Sequence, residues 1–405
     1  MRKLMTVLSL ILVLLVSACG KSGSSEDTIK IGALFPLTGD LALLGEESFR
    51  GVELAVEEFN AKGGLDGRKI DLIKGDAVDV DAAQAEANRL INQEKIETLV
   101  GSYSSGIAFA ASEVAERNGA LFWELGAVSD SITDRKYKSV LRVNPPASAL
   151  SVVHINFIKE VVAPKLGMDL GDVRVAIAYE DSSYGTTIAD EAKSLAKTEG
   201  INIVSAQAYS STSNDLSSVI LNLKQAKPDV LISVGYINDA ILLDRQSREL
   251  GFSVPVFVGS GAGHTISDFK DAVGEEHAEG IFDIAFPQYN LNRNFTPGMD
   301  EFLKLYKEKY NKPPASGHSV ANYMGMKVVL DVLTETGDTD PEKLRETALK
   351  YKVEKGKTAT GWGVDFDEET GQNRLSEPYV HQWRDGVLTT VWPESVAIET
   401  PEINN

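Results

Sequence analysis

The sequence predicts an α/β protein in which parallel sheets are covered by helices on both faces. From Thr28 onward, short β-prone apolar runs alternate with amphipathic helical runs, which is the pattern of parallel sheets joined by crossover helices. The pattern stops at Asn144-Pro145-Pro146 and then begins again. A chain of 405 residues is too long for one ordinary domain, so we expect two α/β units.

The first unit begins with the apolar strand Ile29–Phe35. The next helical run places Phe49, Val52, Val56 and Phe59 on one face, and glycines then end it. In chain order, the predicted elements are strand 29–35, helix 44–62, strand 70–74, a helix from Asp79 or Asp81 to Glu94, strand 98–101, helix 106–118 and strand 120–124.

The second unit follows the two prolines with a long helix. Its predicted elements are helix 147–162, strand 173–180, helix 186–199, strand 201–208, helix 214–226, strand 229–234, helix 238–250 and strands 254–258 and 280–286. Three later helices, 296–310, 317–336 and 341–351, must pack on one of the two units. The tail predicts a hairpin of strands 379–383 and 387–391, because Asp385-Gly386 favours a tight turn.

Residues 1–18 have the features of a secretory signal peptide. Arg2 and Lys3 precede an apolar run that is too short to span a bilayer, and Val16-Ser17-Ala18-Cys19 resembles a bacterial lipobox. We therefore expect lipidation at Cys19, a flexible tether over 19–27, and a location in the cell envelope, outside the cytoplasm and anchored to a bacterial membrane by the lipid. The alternative is an ordinary signal peptide with a chance cysteine.

Composition and motifs exclude several classes of function. The net charge of −19 disfavours binding to nucleic acid or to anionic headgroups. The five histidines are scattered, and no two of them have the spacing of a zinc-binding motif. Neither a G-x-S-x-G nucleophile elbow nor a P-loop occurs. The sequence therefore predicts no catalytic residues, no metal site and no cofactor.

Several motifs together resemble the branched-chain amino acid (leucine/isoleucine/valine) binding family of ABC importers. They are IKIGALFPLTGDLALLG at 29–45, GVELAVEEFNAKGGLDG at 51–67, GSYSS at 101–105, DSSYG at 181–185 and PDVLISVG at 228–235. The resemblance implies the type I periplasmic-binding-protein fold, with two Rossmann-like lobes whose parallel sheets are joined by three crossovers. We place these near 144–147, 285–289 and 363–366. Lobe 1 would comprise 28–145 and 287–363, and lobe 2 would comprise 146–286 and 364–400.

Ligands of open α/β sheets bind at the carboxyl ends of the strands. The best candidate there is the loop Gly101-Ser102-Tyr103-Ser104-Ser105-Gly106, because serine hydroxyls and a helix N-terminus suit a carboxylate. The resemblance implies that Ser104 and Ser105 bind the ligand, with Tyr103 lining the pocket. Simple N-capping by serine is the alternative.

The resemblance also implies where an amino group would bind. Gly126, Ala127 and Val128 fall where the family presents a carbonyl and a hydroxyl, and Gly261 falls where it usually carries an acidic residue. Val128 and Gly261 lack those groups, which argues against a simple branched-chain amino acid as the ligand. Glu124 could replace them, or it could instead form a salt bridge with Arg142.

In the second lobe, Tyr184 and Tyr236 stand where family tyrosines cover the ligand. Ordinary core or surface tyrosines are the alternative. The resemblance implies a monomeric binding protein that delivers a small molecule to an ABC permease and its ATPase subunits. A ligand sensor and an extracellular hydrolase remain the other two hypotheses.

Overall fold

The computed structural model describes residues 28–403, and they form two sheets flanked by helices. The signal peptide, Cys19 and the tether over 19–27 lie outside the described residues. The first sheet contains β1 (Ile29–Phe35), β2 (Ile70–Asp76), β3 (Thr98–Gly101), β4 (Leu121–Glu124) and β5 (Val140–Arg142). All pairings are parallel, in the order β2-β1-β3-β4-β5, and the block built on this sheet is called lobe 1 below.

The second sheet has seven strands and is the basis of lobe 2. Its strands are β6 (Arg174–Glu180), β7 (Asn202–Tyr209), β8 (Val230–Val234), β9 (Val256–Gly259), β10 (Phe282–Ala285), β13 (Tyr379–Arg384) and β14 (Val387–Trp392). The order is β14-β13-β10-β9-β8-β6-β7, with β13 and β14 antiparallel to their neighbours. A separate two-stranded ribbon pairs β11 (Lys352–Val353) with β12 (Val364–Asp365). The α/β class and the parallel sheets predicted from the sequence are confirmed.

The predicted long helices are present with shifts of a few residues at their ends. The helices are Ala42–Ala61, Val80–Asn88, Ser105–Asn118, Ser131–Asp134, Ala147–Phe157, Ala163–Leu166, Ser183–Glu199, Ser217–Ala226, Ile237–Glu249, Ser267–Val273, Glu275–Ala278, Met299–Tyr310, His318–Thr336 and Pro341–Lys350. Two of them continue as π-helical turns, at Arg89–Gln93 and Ile158–Val162. A 3₁₀ turn spans Leu170–Asp172. Among the described helices, none is both long and apolar enough to cross a membrane.

Alternate residues of each strand pack on opposite faces of the sheets. In β1, Ala33 and Phe35 pack with helices Ala42–Ala61 and His318–Thr336, whereas Leu34 packs with the helices of the opposite face. Gly51 lets the two helices of the first face approach closely, because a Cβ there would lie 2.0 Å from the Ser319 carbonyl oxygen. Burial on both faces explains why these strands appear in the sequence as nearly continuous apolar runs.

The terminal hairpin confirms the predicted turn. Asp385 and Gly386 both have positive φ, 48° and 72°, as a two-residue type I′ connection requires.

The third crossover between the lobes lies at a different place in the chain from the one predicted. The Arg142 N–H donates to the Gly371 carbonyl and the Asn373 N–H donates to the Arg142 carbonyl, so this segment still extends lobe 1. The third crossover therefore follows Asn373 and ends at β13, later in the chain than the predicted position at residues 363–366.

Strand β5, which the sequence analysis did not predict, carries a fully buried arginine. The Arg142 guanidinium donates to the Ser129 carbonyl at 2.6 Å, to Thr133 Oγ1 at 3.1 Å and to Gln372 Oε1 at 2.5 Å. Burial lowers its pKa to about 10, and it stays charged at neutral pH. One side chain thus connects the loop after β4 to the segment that leaves lobe 1.

We predict that Arg142→Met destabilises the protein by about 3 kcal/mol, because it leaves several buried acceptors without a donor. Urea unfolding followed by circular dichroism measures the change. Arg117→Ala is the matched control. Its exposed side chain forms only a 3.6 Å ion pair with Glu113, and its loss should change stability by less than about 1 kcal/mol. Equal stability of the two variants would contradict this role for Arg142.

Candidate functional site

The carboxyl ends of the parallel strands of both lobes meet across a cleft. Tyr103, after β3, and Tyr236, after β8, contact each other with ring centroids 6.2 Å apart. Further contacts join the lobes, including Ser129 Oγ with Thr187 Oγ1 at 3.1 Å. The two lobes are therefore closed on each other.

A small cavity lies at this junction. The free space that it encloses is about 20 Å³, little more than the roughly 10–15 Å³ that a single water needs. Its walls come from both lobes and from the segments that connect them. The lining residues are Tyr103, Gly126, Val128, Leu150, Tyr184, Tyr236, Gly261, Ala262, Phe286 and His318.

Six of the residues predicted from the sequence line this cavity, namely Tyr103, Gly126, Val128, Tyr184, Tyr236 and Gly261. The other four adjoin it. Ser104 follows Tyr103 in its loop, and Ser105 Oγ accepts from the Ser129 N–H at 3.1 Å. Ser104 occupies the N-cap position of helix Ser105–Asn118 but makes no side-chain capping bond. The structure thus brings the predicted residues together, and their contacts with a ligand stay a prediction.

Glu124 does not form the salt bridge with Arg142 that was the alternative, and its contact with a ligand stays a prediction. Its fully buried carboxylate accepts from the backbone N–H groups of Ser102 at 3.0 Å, Gly126 at 2.7 Å and Ala127 at 2.6 Å. Glu124 pairs with Arg142 in the sheet register, yet these two described residues form no ion pair. Burial raises the pKa of Glu124, while the three N–H groups and Arg142 act in the opposite direction and favour the ionised form that accepts these bonds. The residue therefore anchors the two loops that carry Tyr103 and Gly126.

Glu180 has the same role in lobe 2, and the sequence analysis missed it. This buried residue ends β6 and accepts from the Ser182 N–H at 2.8 Å and from the Gly185 N–H at 2.7 Å. Burial raises its pKa. The anchored turn begins helix Ser183–Glu199 and sets the position of Tyr184. A glutamate that ends an otherwise apolar strand is the sequence signal that could have identified it.

Asp283 lies behind Gly261, where the resemblance had implied an acidic residue. Its Oδ1 accepts from the Gly261 N–H at 3.0 Å, and its Oδ2 lies 3.8 Å from His264 Nδ1. Both side chains are fully buried, which raises the pKa of Asp283 to about 7 and lowers that of His264 to about 3. The sequence feature that could have identified Asp283 is a single aspartate inside the apolar run of β10.

Four lining residues were not predicted: Leu150, Ala262, Phe286 and His318. Leu150 lies in the first helix after β5, Phe286 follows β10, and His318 begins helix His318–Thr336. Burial lowers the pKa of His318 to about 4, so it is neutral at physiological pH. Among residues 28–403, no group of three or more His, Cys, Asp or Glu side chains is arranged to hold a metal ion.

Comparisons with known proteins agree with this architecture. The family described as periplasmic binding protein matches residues 28–386. The chain is 44% identical over 379 residues to Leu/Ile/Val-binding protein homolog 7 of Brucella suis, covering 94% of each protein. It is 40% identical over 370 residues to homolog 8 of Brucella abortus, covering 91% of this chain and 92% of that protein.

Solved structures share the fold at lower identity. The branched-chain amino acid transporter substrate-binding protein LivJ of Streptococcus pneumoniae, in complex with isoleucine, superposes with a TM-score of 0.77 at 24% identity, covering 92% of this chain and 99% of that one. A solute-binding protein of an ABC transporter from R. palustris, in complex with benzoate, superposes with a TM-score of 0.76 at 19% identity. The match covers 90% of this chain and 95% of that one. With the family match over most of its length and relatives at 40% and 44% identity, the chain belongs to the periplasmic binding protein family.

Proposed function

We propose that this chain is the extracytoplasmic solute-binding lipoprotein of an ABC importer. It captures an amino acid or a related small carboxylate or amide between its lobes and delivers it to a membrane permease. The observation that carries the proposal is the cavity at the opposed strand ends, lined from both lobes by Tyr103, Tyr184 and Tyr236.

The relatives support the ligand class. The Brucella proteins are called Leu/Ile/Val-binding homologues, and the two superposed structures hold isoleucine and benzoate. Both of these ligands are small and carry a carboxylate. In this chain Ser104, Ser105 and the N-terminus of helix Ser105–Asn118 provide a matching anion site, with hydroxyls and free helix N–H groups.

Ligand entry requires the lobes to part. The 20 Å³ cavity cannot hold even a small amino acid while Tyr103 and Tyr236 are in contact. In our proposal the ligand first binds lobe 1 through Ser104 and Ser105. Tyr184 and Tyr236 then close over it as the lobes rotate about the connecting segments, which excludes water. The closed form docks on the permease, and lipidation at Cys19 keeps the monomer at the membrane.

A thermal-shift screen of the purified protein tests the function directly. Leucine, isoleucine, benzoate, glycine betaine and small amides are the probes. A ligand at 100 times its dissociation constant should stabilise the protein by about 2.7 kcal/mol, which raises the unfolding temperature by several degrees. We expect at least one probe class to do so. No shift with any probe, or turnover of a probe, would contradict the proposal.

The loop anchor gives a second prediction. Glu124→Gln places an amide N–H₂ among three backbone N–H donors, and we expect affinity for the bound probe to fall at least 10-fold, because unmatched buried donors cost about 1–3 kcal/mol. Isothermal titration calorimetry measures the dissociation constant.

Glu116→Gln is the matched control for this variant. The Glu116 carboxylate accepts from the Ser139 N–H at 2.9 Å, so it makes the same kind of contact at the opposite edge of the same sheet. Both substitutions should lower stability, but only Glu124→Gln should weaken binding. Equal loss of affinity in the two variants would show that Glu124 acts only through global stability.

A further inference from the structure

The cavity is enclosed by aromatic rings whose contacts are tilted or edge-to-face, with Tyr184 at 44° to Tyr236 and Phe286 at 49° to His318. The Tyr103 ring lies at 78° to Tyr236 and at 83° to His318, with centroids 6.2 and 6.0 Å apart. Tyr184 and Phe286 complete the walls. Rings arranged in this way surround a rounded group from several sides, whereas a flat ligand would need parallel faces for stacking.

Two of the three tyrosine hydroxyls donate to backbone carbonyls. Tyr103 donates to the Leu41 carbonyl at 2.8 Å and Tyr184 donates to the Ser260 carbonyl. Val128 and Gly261 have no acceptor in their side chains. No carboxylate or amide side chain lines the cavity, so a primary ammonium group there would have no charged partner to offset the hydrogen bonds to water that it loses.

Three acidic side chains lie behind the lobe 2 rings. Glu180 and Asp283 are fully buried and Asp239 is 3% exposed. Glu180 accepts from the Gly185 N–H beside Tyr184, and Asp283 accepts from the Gly261 N–H in the cavity wall, so both lie directly behind lining residues. Burial raises the pKa of Asp239 and Asp283 to about 7, which leaves each of them partly ionised at neutral pH. No lining residue is Lys or Arg, and His318 is neutral. The field at the rings therefore favours a cation.

We propose that the ligand of this site is a betaine-type molecule, a carboxylate whose ammonium nitrogen is N-methylated. This inference rests on the proposed function, in which Ser104 and Ser105 hold the carboxylate. The methylated ammonium lies against the faces of Tyr103, Tyr184 and Tyr236, where cation–π attraction replaces hydrogen bonds that such a nitrogen does not make. The buried carboxylates add a favourable field without direct contact.

Calorimetric titration of the purified protein with four probes tests the ligand class. Glycine betaine is compared with 3,3-dimethylbutanoate, which has the same shape and carboxylate but an uncharged quaternary carbon, and with leucine and benzoate. We expect glycine betaine to bind at least 10-fold more tightly than each of the other three. Tighter or equal binding of 3,3-dimethylbutanoate, leucine or benzoate would overturn the ligand class and leave the solute-binding function intact. No binding of any probe would overturn both.

Two substitutions at one position separate the ring from its hydroxyl. Tyr236→Phe should keep the preference for glycine betaine over 3,3-dimethylbutanoate, whereas Tyr236→Leu should reduce that ratio at least 5-fold. The ratio compares two ligands on the same variant, so a general loss of stability or of lobe closure cancels. An unchanged ratio in Tyr236→Leu would show that the ring does not recognise the charge.

Discussion

The site depends on buried carboxylates that bind the backbone N–H groups of the cleft loops. Glu124 and Glu180 end their strands and Asp283 lies within β10, and each accepts from loop residues that line or adjoin the cavity. Without these acceptors the loops would have unpaired buried donors, which proteins avoid. These three acidic residues thus hold the loops that form the cavity wall, although their own side chains do not line the cavity.

This arrangement has an electrostatic consequence as well as a structural one. Because the carboxylates bind backbone from behind, the side chains that face the cavity are aromatic or aliphatic, and the negative charge remains one layer away. Arg142 partly balances the charge in lobe 1, whereas the lobe 2 wall has no comparable cation among its lining residues. In our proposal the two lobes therefore offer different chemistry, with an anion site at Ser104 and Ser105 and a cation-favouring wall around Tyr184 and Tyr236.

The sequence predicted the regular part of the fold and missed elements whose composition is mixed. Strands buried on both faces and helices with one apolar stripe have a clear periodicity, and Asp385-Gly386 specifies its turn through backbone conformation. Strand β5 has only three residues and contains Arg142, so no local pattern distinguishes it from a loop. The predicted position of the third crossover was wrong because residues 371–373 hydrogen-bond to β5 and the residue after it. These partners are about 230 residues apart in sequence, so no local pattern reveals the contact. The strand ends that form the site were predictable from the sequence. Phe286 and His318 were not, because they reach the site only through tertiary packing. No local sequence pattern shows which atoms Glu124 binds.

The central claim is that a ligand binds between the lobes with its carboxylate at Ser104 and Ser105. The most direct test is a crystal structure of the protein with the tightest-binding probe. The account predicts density enclosed by Tyr103, Tyr184 and Tyr236, with carboxylate oxygens within hydrogen-bond distance of the two serines. Density at another site, such as the groove lined by Ile29, Arg68 and Leu333 at the opposite edge of lobe 1, would contradict it.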